Sequence, residues 1–219
     1  MRRVRVACVG DSITRGTFVW RRGRNAYPVQ LQEMLGDGYA VRDFGVNAHA
    51  AQRAADFPYW ESEAFAESAS FAPDIVLIML GTNDSRGDNW KGLSAFSRDY
   101  RDLVVHYRAL ESHPVVWLLT PPTLFRLGRS ATVRYGMDER ALVQMCAAIK
   151  EIARDLGCGL IDINAVTAGH PEAFRLDGVH PGAAGARLIA RAVFDVVAGK
   201  WATSGVECAQ GMHRTGGRR

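Results

Sequence analysis

Residues Ile75–Leu80, IVLIML, are wholly apolar and lie between Pro73-Asp74 and Gly81. A run so short, without alternation and bounded by breakers, fits a strand covered on both faces, as at the centre of a parallel sheet. It has companions. Val4–Val9, Tyr39–Phe44, Val115–Leu119 and Leu160–Ile163 are also short and largely apolar. Between and after these runs stand helical stretches: Tyr27–Leu35, Ser62–Ser70, Ala95–Glu111, Asp138–Leu156 and Pro181–Ala198. Alternation of strand and helix builds βαβ units. With right-handed crossovers, the expected fold is α/β: a three-layer α/β/α sandwich around a five-stranded parallel sheet.

Composition limits the rest. The chain has 219 residues, 47% of them hydrophobic, which suits one globular domain with a sizeable core. That domain is expected over residues 1–199, with residues 200–219 as a basic, mobile tail. Most of the net charge of +4 resides in that tail, through Lys200, Arg214, Arg218 and Arg219. The body has no stripe of Lys and Arg interleaved with aromatics, so no nucleic-acid partner is expected. No run of about 18 apolar residues is present to span a membrane. The apolar part of the N-terminus is too short for a secretory signal and flows straight into the first strand, so a cytoplasmic location is expected. Cys8, Cys146, Cys158 and Cys208 lack metal-ligand spacing and read as reduced thiols. The sequence is silent on oligomeric state.

Loops of unusual composition follow the first three strands: Gly10-Asp11-Ser12, Gly45-Val46-Asn47 and Gly81-Thr82-Asn83-Asp84. In a parallel sheet they emerge at one edge, where open α/β sheets bind ligands. The block Asp177-Gly178-Val179-His180-Pro181 falls after the fifth strand and can fold back over that edge. Acyl transfer requires a serine, a base to take its proton, a carboxylate to orient the base, and donors for the oxyanion. Ser12 can attack. His180 can serve as base, since an imidazole of pKa ~6.5 suits neutral pH. Asp177 can reach its histidine across a tight turn. The donors are expected to be the N–H of Ser12, the N–H of Gly45 and the side-chain amide of Asn83. Each residue also has a plainer reading: Ser12 as a helix N-cap, Asp177 as a turn residue, Asn83 in an Asx turn with Asp84. Asp11 is expected to brace its loop through backbone N–H bonds.

GDSIT near the N-terminus, a glycine after the second strand, GTND after the third and DGVHP near the C-terminus together resemble the GDSL/SGNH hydrolase family. The ordered set covers about residues 4–198. The resemblance implies a flavodoxin-like hydrolase fold without metal or organic cofactor. It makes Ser12, Gly45, Asn83 and His180 the signature residues and Asp177 the third triad member. The second block departs from the family pattern. It reads Asp43-Phe44-Gly45-Val46-Asn47-Ala48, where the family has Asn-x-Gly followed by a small residue and a glycine.

The expected activity is that of a serine esterase acting through an acyl-enzyme on a small-molecule or saccharide ester. The chain looks most similar to carbohydrate O-acetylesterases of that family. A lysophospholipase or acyl-thioesterase on the same triad is the alternative, and it would want a long apolar groove. A non-catalytic nucleotide- or flavin-binding module is disfavoured, because GDSITRG lacks the lysine and glycine spacing of a P-loop and no GxGxxG is present. Trp20, Tyr59, Trp60, Trp90 and Phe125 fall on loops and are candidate substrate platforms. Loop packing explains them equally well.

Overall fold

The computed structural model describes residues 2–126 and 132–210, with side chains through 199. Its strands are β1 (Val4–Gly10), β2 (Tyr39–Gly45), β3 (Ile75–Met79), β4 (Val115–Leu119) and β5 (Gly159–Ile161). Its α-helices are α1 (Ser12–Arg15), α2 (Arg22–Asn25), α3 (Tyr27–Leu35), α4 (Glu63–Ser70), α5 (Leu93–Arg108), α6 (Glu139–Leu156), α7 (Ile163–Thr167) and α8 (Ala183–Gln210). All strand pairs are parallel, in the order β2-β1-β3-β4-β5. This is the flavodoxin-like order, with its topological switch point between β1 and β3.

The strands lack alternation because both faces are covered. Val6 and Cys8 of β1 pack with Leu77, Met79 and Leu119 beneath α3 and α8, around Leu31 and Ile189. Ala7 and Val9 point the other way, into a cluster with Val76, Ile78 and Leu118 against α5 and α6, around Leu103 and Ile149. Full burial of each such aliphatic side chain contributes roughly 1.5–3 kcal/mol relative to exposure. A smaller cluster of Leu124, Val133, Met137, Leu142, Cys146 and Val179 underlies the loops beyond the sheet edge.

Local chemistry sets the element ends. Asp138 caps α6 by accepting from the N–H of Arg140 (2.8 Å), and Gly157 ends that helix in the left-handed conformation. Ser62 caps α4 through the N–H of Phe65 (3.2 Å). The last helix departs from expectation. It continues past residue 199 to Gln210, into the stretch expected to be a mobile tail. The tail beyond 210 lies outside the described residues. No helix among the described residues is long and apolar enough to cross a membrane.

Candidate active site

β1 ends at Gly10, and the chain turns at once into α1. The residue that caps α1 is Asp11. Its carboxylate accepts from the N–H of Ile13 (2.8 Å), as expected of a loop brace. Ser12 is therefore the first helical residue and not the cap, and its hydroxyl is free for other work. Ser12 Oγ lies 2.9 Å from His180 Nε2. The Ser12 N–H is one of the donors that a helix N-terminus leaves without an intrahelical acceptor.

His180 stands on the turn after the short 3-10 helix Pro171–Ala173, just before α8. Its Nδ1 is 2.8 Å from Asp177 Oδ2. The other carboxylate oxygen, Asp177 Oδ1, accepts from the N–H groups of Val179 and His180, both at 2.9 Å. Burial alone would raise the Asp177 pKa. The backbone donors of His180 and Val179, with the imidazole, outweigh it and hold the carboxyl below its ordinary value. Gly178 makes this turn possible. Its φ is +70°, and a Cβ there would fall 1.9 Å from the Phe125 carbonyl oxygen. Phe125 N–H donates to Gly178 O (2.8 Å), so the loop after β4 clamps the turn from outside.

The loops after β2 and β3 are joined beneath the site. Buried Asp84 accepts from the N–H of Ala51 (2.9 Å) and of Gln52 (2.8 Å). Burial pushes its pKa up to about 6, against the pull of those donors. Asn83 Nδ2 donates to His49 O (3.0 Å), and Asn83 O accepts from Asn89 Nδ2 (2.9 Å). A primary amide carries two donors, so one N–H of Asn83 remains for the cleft.

A cleft of about 240 Å³ opens over this constellation, lined by Ser12, Asn83 and His180 with Phe18, Ala48, Tyr135 and neighbours. The structure thus brings Ser12, Asp177, His180 and Asn83 together at the β1/β3 switch point. It does not bring Gly45 there. The Gly45 N–H donates to Asp43 Oδ1 (2.8 Å), and the residue lines a separate groove with Arg15 and Asp43. Glycine is required at 45 for another reason. A Cβ would meet Arg15 N at 2.4 Å and Asp11 O at 2.7 Å, where the α1 backbone crosses β2. The residues of this loop that line the cleft are Asn47 and Ala48, and the Ala48 φ of +64° is a left-handed conformation rare for alanine. The Ala48 N–H has no acceptor among the described residues.

None of the five loop aromatics read as platforms lines the cleft. Tyr59 is fully buried and donates its hydroxyl to Phe44 O (2.8 Å). Trp60 donates to Ala51 O (2.9 Å) and lies under the Arg53 guanidinium. Trp90 packs on Phe96, and Phe125 on Phe174. Trp20 is exposed beside Arg21. The aromatics that do face His180 are Phe18 and Tyr135, with ring centroids 5.0 and 5.9 Å away, both edge-on. The signals available for the missed residues were slight: a small residue three places after Gly45, an aromatic in the loop after Ser12, and a Tyr-Gly pair.

A hydrogen-bonded series of serine, histidine and aspartate at the switch point of a flavodoxin-like sheet defines the class of α/β proteins to which this one is kin. The sequence pattern of the GDSL-like Lipase/Acylhydrolase family matches residues 8–188, and the chain belongs to that family. It is 33% identical over 207 residues to an acetylxylan esterase of Xylanibacter ruminicola, a match covering 87% of this chain. The chain spans only 42% of that relative's length. Its fold is shared by a carbohydrate acetylesterase from Sinorhizobium meliloti, at TM-score 0.74 and 21% identity over 90% of this chain and 99% of that one. A structure described as an arylesterase from Agrobacterium tumefaciens matches at TM-score 0.72 and 23% identity, over 89% and 98% of the two chains.

Proposed function

We propose that this protein is a serine esterase that cleaves short-chain esters, with O-acetyl groups on a carbohydrate as its substrates. The observation that carries the reading is the continuous series Ser12 Oγ–His180 Nε2 (2.9 Å) and His180 Nδ1–Asp177 Oδ2 (2.8 Å), opening on a cleft beside Asn83. His180 takes the proton of Ser12 as its oxygen attacks the ester carbonyl. Asp177 holds the imidazole by Nδ1–H and stabilises the imidazolium that forms. The carbonyl oxygen, now negative, receives the N–H of Ser12, the N–H of Ala48 and the free amide N–H of Asn83. Donors so placed are worth about 3 kcal/mol of barrier each. His180 then gives its proton to the departing alcohol. Water attacks the acyl-Ser12 ester with His180 as base, releasing the acid and restoring the hydroxyl.

Likeness to an acetylxylan esterase supports an acetyl ester of a sugar. The modest cleft supports a short acyl group over the long chain of a lysophospholipase. The test is a panel of aryl acetate, butyrate and octanoate, with acetylated xylose, given to wild type and Ser12→Ala. Wild type is expected to prefer acetate, and the variant to lose activity. A preference for octanoate would overturn the acetyl assignment, and hydrolysis of no ester would overturn the esterase itself.

A further inference from the structure

We infer that Phe18 and Tyr135 form the subsite for the alcohol half of the ester and select an alcohol that presents a flat ring with an apolar face. The inference rests on the esterase reading and adds a direction to the cleft. A proton returned by His180 Nε2 must reach the leaving oxygen, so the alcohol departs past His180. The carbonyl oxygen points the other way, toward Ala48 and Asn83. Whatever walls the His180 side therefore contacts the alcohol and not the acyl chain.

Those walls are aromatic. The Phe18 ring stands at 88° to the imidazole and the Tyr135 ring at 80°. Both remain open, at 59% and 49% exposure, in a chain whose Tyr27, Tyr59, Tyr100 and Tyr107 are fully buried. Both also stand in the left-handed region, each with φ of +62°. Such a backbone is unfavourable for a bulky side chain and persists only where its surroundings impose it. Here the surroundings do. Gly87 N–H donates to Gly136 O (3.2 Å) and Asp138 N–H to Ser85 O (2.9 Å), tying the Tyr135 turn to the loop of Asn83. Thr17 N–H donates to Ser12 O (2.9 Å) and Val19 N–H to Gly16 O (3.1 Å), fixing Phe18 beside the Ser12 helix. Two open rings, each held in an unfavourable conformation against the same histidine, make a slot that a planar aryl ring or the C–H face of a pyranose fills. Thr17, Asn47 and Arg86 line the same cleft; the Thr17 hydroxyl donates to Asn47 Oδ1 (2.6 Å) and Arg86 pairs with Asp56 (2.8 Å), which leaves the Asn47 amide N–H groups as donors for ring hydroxyls and favours the sugar.

The experiment compares Phe18→Leu and Tyr135→Leu with wild type on two ester series. One series varies the alcohol at fixed acyl group: ethyl, phenyl and xylose acetates. The other varies the acyl group at fixed alcohol: phenyl acetate and phenyl butyrate. Each leucine variant is expected to lower the kcat/KM ratio of ring acetate to ethyl acetate by about five- to tenfold, the scale of one aromatic contact. The acetate-to-butyrate ratio is expected to hold within about twofold. Tyr135→Phe, which keeps the ring and removes the hydroxyl near Asp177 Oδ2, is expected to retain the alcohol preference. A larger loss on xylose acetate than on phenyl acetate marks the sugar as the preferred ring. The inference is overturned if the alcohol ratio stays constant, or if the acyl ratio moves in its place. If wild type cleaves no ester, the esterase reading fails and the subsite falls with it.

Discussion

Ser12 is available for chemistry because its neighbour does the structural work. Asp11 caps α1, which leaves the serine hydroxyl 2.9 Å from His180 Nε2 instead of tied to its own backbone. Ala48 shows the reverse case, a backbone group whose side chain is incidental. Its N–H has no acceptor among the described residues, and at a φ of +64° alanine costs about 1 kcal/mol that glycine would not. Ala48→Gly is accordingly expected to stabilise the fold slightly, by up to about 1 kcal/mol in urea unfolding, after the added freedom of the unfolded chain is discounted. Because the proposed donor is main-chain, kcat/KM on an aryl acetate should stay within about threefold of wild type. A tenfold loss would mean that the methyl group, and not the amide, matters at this position. The convergence of Ser12, Asn83, Asp177 and His180 was legible in the sequence, because loops that follow parallel strands emerge at one edge and the block before the last helix can fold back over it. Ala48 was not, since a left-handed alanine is imposed by tertiary contacts and leaves no mark in composition.

Among elements, the strands were the most legible, for they are buried on both faces and written as unbroken apolar runs. β4 matches its expected span, and the other strands differ by a residue or two at their ends. The loops were read less well. Pro58-Tyr59-Trp60 is aromatic and breaker-rich like an exposed platform, yet Tyr59 is buried and its hydroxyl satisfied by Phe44 O. An aromatic in a loop does not announce which way it turns. The turn Asp177–His180 is the element on which the site depends most. It is bound by two N–H donors to Asp177 Oδ1 and clamped by the Phe125 N–H. Gly178→Ala would place a Cβ 1.9 Å from Phe125 O at a φ of +70°. The clash and the strain together should cost about 2–4 kcal/mol by urea unfolding. They should also lower kcat/KM by more than tenfold, through displacement of Asp177 relative to His180. Unchanged stability and activity would show that the clamp yields without consequence.

Over the whole molecule, the switch point between β1 and β3 gathers three strand-end loops beside the turn before α8, and it does so by burying carboxylates. Burial pushes Asp11 up to about 7 and Asp84 up to about 6, from an ordinary value near 3.8. The folded state thus binds protons that the unfolded chain has released. Their combined contribution is most favourable below about pH 4, declines as the pH rises through their folded values, and levels off above about 7. Asp177, held low, acts in the opposite sense and loses its contribution only in acid. Asp11→Asn keeps a capping side chain and removes the titration. It should therefore gain Tm relative to wild type between pH 5 and pH 8, by on the order of 5 °C. A Tm difference that is constant with pH would contradict the buried-charge cost at Asp11.

The most direct measurement of the central claim is stoichiometric labelling of the full chain with an alkyl fluorophosphonate, which reacts only with an activated nucleophile. Intact mass should show one adduct per chain, peptide mapping should place it on Ser12, and esterase activity should fall in step with labelling. Ser12→Ala should take up no label. An adduct on another residue, or an unlabelled wild type that still cleaves aryl acetate, would contradict the assignment of Ser12 as the attacking group.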